Sequence, residues 1–140
     1  MYKAVGTTFV AKNTKRMLLN LRSKSVSYPN TWSFWGGKIE KGEEPIDALR
    51  REMNEEIGFV PHMEKLNPLD TYRSPDKGFI YYTYVIITPK EFIPTLNDES
   101  SGYAWIDIGK WPKPLHSGAK ITLTNKKNIA KIKKLCNLST

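Results

Sequence analysis

The sequence predicts a mixed α/β fold in which strands outnumber helices. Three observations carry this: six segments rich in β-branched, aliphatic and aromatic residues, one amphipathic helix near the middle, and a second helical pattern at the C-terminal end. With 140 residues the chain fits one domain spanning 1–140, long enough to bury about two thirds of its unfolded surface without a disulfide or metal staple.

Tyr2 to Val10 and Arg16 to Leu21 flank the polar stretch Ala11 to Lys15 and read as a strand pair or hairpin. Thr31 to Trp35 is a short aromatic strand ended by Gly36 and Gly37, where glycine permits backbone geometry that a side chain forbids. Glu44 to Ile57 is the clearest helix: Pro45 suits its first turn, acids crowd its start and Gly58 stands ready to cap its end. Ile46, Leu49, Met53 and Ile57 form its expected buried stripe. Leu69 to Arg73 and Phe79 to Thr88 read as strands around the turn Ser74-Pro75-Asp76-Lys77-Gly78, and Tyr103 to Ile108 as another. Asn125 to Leu135 closes the chain as an amphipathic helix with Ile129, Ile132 and Leu135 inward and lysines outward.

Hydrophobic residues make up 39% and charged residues 26% of the chain, which excludes a disordered polyelectrolyte, a collagen-like repeat and a coiled coil. The best N-terminal apolar run, Ala4 to Ala11, contains Gly6, Thr7 and Thr8 and meets Lys12 at once, so neither a membrane span nor a secretory signal is expected. The lone Cys136 cannot close an intramolecular disulfide and is expected to be a structural helix residue in a cytoplasmic protein. Against 14 acids stand 22 Lys and Arg residues, a net charge of +8 that favours anionic partners. Lys126, Lys127, Lys131, Lys133 and Lys134 crowd the end, while acids gather between Glu40 and Glu56 and at Asp98-Glu99. An acidic island in a basic chain suggests a cation site facing an anionic substrate.

Glu52, Glu55 and Glu56 are related by i, i+3 and i+4 and so project from one side of the helix. Lysines at i+4 would offset them, but positions 59 and 60 are Phe and Val. A solvated acidic face is the plain alternative; a hard divalent cation such as Mg²⁺, which takes carboxylate, carbonyl and phosphate oxygens, is the functional one. Arg51 can hold one carboxylate by a bidentate contact. The preceding loop can add Glu43 and a main-chain carbonyl at Gly36 or Gly37.

The stretch then reads Gly37, five residues, Glu43, seven residues, Arg51-Glu52-Met53-Asn54-Glu55-Glu56-Ile57-Gly58-Phe59. It resembles the signature of the Nudix hydrolases, MutT-like pyrophosphohydrolases, at all its polar and glycine positions. Met53 and Phe59 stand where the family usually has aliphatic residues, and Trp35 where many members have Pro. The resemblance implies an α/β/α sandwich with a mixed β-sheet, and hydrolysis of nucleoside diphosphates linked to a further group. It implies Mg²⁺ as cofactor, with Mn²⁺ able to replace it; because a more deprotonated metal-bound water attacks faster, an alkaline optimum is expected.

On this reading Glu55 and Glu56 are the primary metal ligands with Gly37 nearby. Glu52, oriented by Arg51, is a further ligand or the base. The resemblance also allows a base or ligand from outside the signature, for which Asp98-Glu99 is the best-placed pair, Glu99 being the candidate, with Glu91 behind it. Arg22 and Lys38 are the phosphate contacts. Among Trp32, Trp35, Phe79, Tyr81 and Tyr82, the base-stacking candidates are Trp35 and Tyr82; alternation puts Tyr81 and Tyr82 on opposite faces, so one at most meets a ligand. His116 is expected to be a solvated loop residue.

The leading expectation is a pyrophosphohydrolase of small nucleotides: nucleoside triphosphates, ADP-ribose, nucleotide sugars or dinucleoside polyphosphates. The short chain without an extra N-terminal domain leans it to triphosphates, as a monomer or homodimer. The alternatives are pyrophosphate or cap removal from RNA 5′ ends, with the final lysines tracking the backbone, and a nucleotide- or RNA-binding module without catalysis.

Overall fold

The computed structural model of the chain describes residues 2–58 and 66–138. Its elements run β1 (Tyr2–Ala11), β2 (Arg16–Arg22), β3 (Trp32–Ser33), β4 (Trp35–Lys38), α1 (Pro45–Ile57), β5 (Leu66–Arg73), β6 (Phe79–Thr88), β7 (Ser100–Asp107), α2 (Ser117–Leu123) and α3 (Lys126–Leu138). All seven strands join one sheet. Most neighbours are antiparallel, but β1 and β6 run parallel from Tyr2 beside Phe79 to Ala11 beside Thr88, so the sheet is mixed.

Alternation along the strands sorts the core into two layers. Val5, Phe9, Leu18, Trp35 and Ile86 face Ala48, Leu49, Met53 and Ile57 of α1. Val10, Met17, Leu19, Val85 and Ile87 face Ala119 and Leu123 of α2 and Ile132 and Cys136 of α3. Helices therefore cover both faces, in the α/β/α arrangement expected, and Cys136 is a buried helix residue.

β1 changes partner along one edge. From Ala4 to Thr7 it pairs with β4, and at Phe9 and Val10 with β2. The fork between β2 and β4 is bridged by Asn20 on β2, whose Nδ2 donates to the carbonyls of Ser33 and Phe34 at 3.3 and 2.9 Å. β2 itself pairs with β7 through an irregularity at Leu21 and Arg22. Such bulges re-aim the side chains beside them.

Several boundaries differ from expectation. Thr31 to Trp35 is not one strand: β3 pairs with β2, while Trp35 opens β4 on β1. Gly36 and Gly37 lie inside β4 because their missing side chains allow close approach. A Cβ on Gly36, whose φ is +149°, would stand 2.0 Å from the Val5 carbonyl oxygen. In α1, Ile46 is exposed and Ala48 takes its place in the core. Gly58 closes this helix in the left-handed conformation, φ 82°. His116, expected in a loop, is the N-cap of α2, which begins at Ser117. Phe59 lies outside the described residues. Among the described residues no helix is long and apolar enough to cross a membrane.

Candidate active site

The site is built where α1 meets β4. Glu52 and Glu56, one turn apart, turn toward the sheet and are only 8% and 5% exposed, although the stripe beside them is apolar. The Glu52 carboxylate lies against Gly37, where a Cβ would come within 2.7 Å of Oε1. The Gly36 N–H donates to Glu56 Oε1 at 3.2 Å. The two glycines of β4 thus seat the two carboxylates: one leaves room, the other supplies a donor.

Arg51 holds this arrangement from the side. Its Nε and Nη2 donate to both oxygens of Glu43 at 3.0 and 2.9 Å, its Nη1 to Glu52 Oε1 at 2.8 Å, and Nη2 also to the Lys38 carbonyl at 3.0 Å. These charge-assisted bonds push the guanidinium up and hold the Glu43 carboxyl below the usual range. The Arg51 side chain does not line the cavity beside it, so it acts as a positioning residue.

Glu99, exposed in the turn just before β7, brings a third carboxylate. One oxygen each from Glu52, Glu56 and Glu99 lie within 4.8 Å of one another. Burial, then Glu52 and the charge of Glu99, hold the Glu56 carboxyl well above the usual carboxylate range. Its Oε2 is buried without a hydrogen-bond partner. Three converging hard oxygens, from a group in which Glu56 has a buried oxygen without a partner, fit a divalent cation. Glu55 stands apart from this group, with its side chain exposed. Its carbonyl accepts from Asn97 Nδ2 at 3.0 Å, which ties that turn of α1 to the loop carrying Glu99.

These carboxylates open on a cavity of about 610 Å³. Arg22 and Lys38 line it, as do Tyr72, Phe79, Tyr81 and His116. Arg22 donates to the Ser27 carbonyl at 2.8 Å and to its hydroxyl at 3.2 Å. Lys38 Nζ sits 5.6 Å from the Tyr2 ring centroid. Phe79 and Tyr81 stack with centroids 6.1 Å apart. Burial and the charge of Glu56 push the Tyr81 hydroxyl up.

Both expected stacking residues lie elsewhere. Trp35 is fully buried in the α1-side core because β4 pairs with the centre of β1, and its ring cannot meet a ligand. Tyr82 packs against the same core, and it is Tyr81 that faces the cavity, its hydroxyl over Gly6. Tyr28 and His116 also reach the cavity, brought there by the loop after β2 and the start of α2. Their signal in the sequence was weak: one aromatic and one histidine in polar loops.

A profile of the NUDIX domain matches residues 2–125. The chain is 34% identical over 90 residues to a protein of Escherichia fergusonii named nucleoside triphosphatase NudI, covering 56% of this chain and 63% of that one. It is 32% identical over the same length to the protein of that name from Salmonella typhimurium. The chain therefore matches less than two thirds of the length of these relatives. Among solved structures, a MutT NUDIX hydrolase from Burkholderia pseudomallei superposes with a TM-score of 0.69 at 22% identity, over 89% of this chain and 98% of that one. A MutT protein from Methanosarcina mazei gives 0.68 at 18% identity, over 95% and 93%. At such identities these two establish the fold alone. The extent of the profile match, together with the signature seated on α1, makes this chain a member of the NUDIX domain family.

Proposed function

We propose that the chain is a divalent-cation-dependent pyrophosphohydrolase of small nucleotides, with nucleoside triphosphates as its first substrate class and nucleoside diphosphate compounds as its second. The observation that carries this reading is Glu56, a buried carboxyl with one unpartnered oxygen at the edge of a cavity lined by cations and aromatic rings. The triphosphate preference draws on the relatives named nucleoside triphosphatases. A cavity of about 610 Å³ falls within the usual range for small-ligand sites.

Glu52, Glu56 and Glu99 would hold the cation, with the Gly37 carbonyl as a further oxygen beside Glu52; Glu55, expected as a primary ligand, would join only from the solvent side. When bound, Mg²⁺, or Mn²⁺ in its place, offsets phosphate charge and makes water more acidic. Arg22 and Lys38 draw the phosphates in and balance their charge. Tyr81 and Phe79 offer ring faces to the base. Glu99 is the better proton acceptor: Glu52 is held by Arg51, whereas no hydrogen bond to the Glu99 side chain is found among the described residues. Arg51 keeps Glu52 aimed.

The α3 lysines do not line the cavity. The test is release of phosphate and pyrophosphate with Mg²⁺ from nucleoside triphosphates, ADP-ribose, nucleotide sugars, dinucleoside polyphosphates and a 5′-triphosphorylated RNA, beside Glu56→Gln. Turnover lost in the variant supports the reading. Equal turnover by both proteins contradicts the cation site, and silence across the panel from folded, cation-bound protein favours a binding module.

A further inference from the structure

His116 is held more firmly than a solvated loop residue needs to be. Its main chain is clamped to β3: the Trp32 N–H donates to the Pro114 carbonyl at 2.9 Å and the His116 N–H to the Trp32 carbonyl at 2.8 Å. Its ring caps α2, with Nδ1 accepting from the Gly118 N–H at 3.1 Å. Tyr28 packs edge-on against it, centroids 5.3 Å apart at 88°. Tyr28 is fixed in turn: it sits at φ 51°, and its carbonyl accepts from the Thr31 hydroxyl at 2.8 Å.

This arrangement selects one form of the ring. Burial and the charge of Arg22 push the imidazole below its usual range, so it is neutral near pH 7. With Nδ1 accepting, the hydrogen of a neutral ring is on Nε2. Nothing accepts from Nε2 among the described residues, and His116 lines the cavity. Arg22, the neighbouring charge, also carries donors only. A ligand acceptor placed beside His116 completes the hydrogen bond of its Nε2–H.

We propose that His116 is a specificity-determining residue whose Nε2–H selects nucleobases carrying a carbonyl oxygen where adenine and cytosine carry an exocyclic amine. A carbonyl completes the donor's hydrogen bond; an amine leaves two donors facing each other, and an unmade buried bond is costly. The inference rests on the reading of the cavity as a nucleotide site, but not on hydrolysis.

The test is equilibrium binding of GMP, UMP, AMP and CMP without divalent cation, so that it runs independently of turnover. Wild type is expected to bind GMP and UMP about tenfold more tightly than AMP and CMP, the scale of one good hydrogen bond. His116→Ser keeps a capping oxygen for Gly118 while removing the Nε2–H. It should weaken GMP and UMP, bind AMP and CMP at least as tightly as wild type does, so that the preference disappears, and preserve the melting temperature. Should the variant fail to fold, ¹⁵N–¹H spectra of wild type serve instead: the His116 Nε2–H signal should move with GMP and stay with AMP. Equal affinities in wild type, a preference that survives His116→Ser, or no binding of any of the four would overturn the proposal. Phosphate release without base preference sinks this inference alone; base preference without phosphate release sinks the hydrolase reading alone.

Discussion

The helices α1 and α3 have the same length, 13 residues each, and cover opposite faces of one sheet, yet they treat charge in opposite ways. On α3 the lysines at 126, 127, 131, 133 and 134 are all exposed while Ile132 and Cys136 are buried. That is ordinary amphipathic economy: charge in water, apolar groups in the core. On α1, Glu52 and Glu56 are buried beside Leu49 and Met53, against that rule. Burying a carboxylate is unfavourable unless something compensates, and here β4 is cut down to two glycines and Arg51 is committed to Glu43 and Glu52. Charge density alone therefore does not mark a site. The larger charge cluster, on α3, does not line the cavity; the smaller one, pulled inward against its own interest, does.

The contrast can be broken first at Glu56. Replacing it by Gln should lower turnover by at least about 100-fold, the scale of losing one charge-stabilising group in an active site. Without cation the variant should melt no lower than wild type, because a repelled buried acid is gone. A lower melting point would mean that Glu56 is a structural group. Next come the apolar halves, where the helices should behave alike. Leu49→Ala and Ile132→Ala should each cost about 2–5 kcal/mol in denaturant titrations. Turnover per folded Ile132→Ala molecule should persist.

A subtler effect lies in pH. The Glu56 carboxyl titrates above its unfolded value, so its contribution to stability is complete below the ordinary carboxylate range and is lost as pH rises through the raised folded value. Metal-free wild type should therefore lose melting temperature as pH rises above the ordinary carboxylate range, and Glu56→Gln should flatten that decline. Glu43 and Glu91, held low chiefly by hydrogen bonds from Arg51 and Arg16, act with the opposite sign: their contribution is present above the ordinary range and fades in acid. Scans of both proteins across pH separate the two trends. The smallest effect belongs to α3, where Lys131→Gln and Lys134→Gln should shift stability by no more than about 0.5 kcal/mol and leave turnover of small nucleotides unchanged.

Much of this architecture was legible in the residues. The strand pair β1 and β2, α1 with its glycine cap, β6 and α3 all follow from periodicity and capping, which are local. What was hidden depends on distant partners. Trp35 looks like a stacking residue until β4 pairs with β1 and sinks it; Tyr81 and Tyr82 alternate as expected, but only the sheet decides which one meets the cavity. Gly36 and Gly37 read as punctuation because their reason, the Val5 carbonyl and the Glu52 carboxylate, lies on other elements. At seven residues, α2 is too short to leave a period. The helical spacing of Glu52, Glu55 and Glu56 was plain; that the first and third turn inward to meet Glu99, while Glu55 stays in solvent, required the sheet beneath them.

The most direct test of the cation site is a calorimetric titration of Mn²⁺ into wild type and Glu56→Gln in buffers of different ionisation heat. At a pH just above the ordinary carboxylate range, binding to wild type is expected to release a proton, because the raised Glu56 carboxyl must ionise to bind, and the variant is expected to lose both affinity and proton release. Equal binding by the two proteins, or binding to wild type with no proton released, would contradict it.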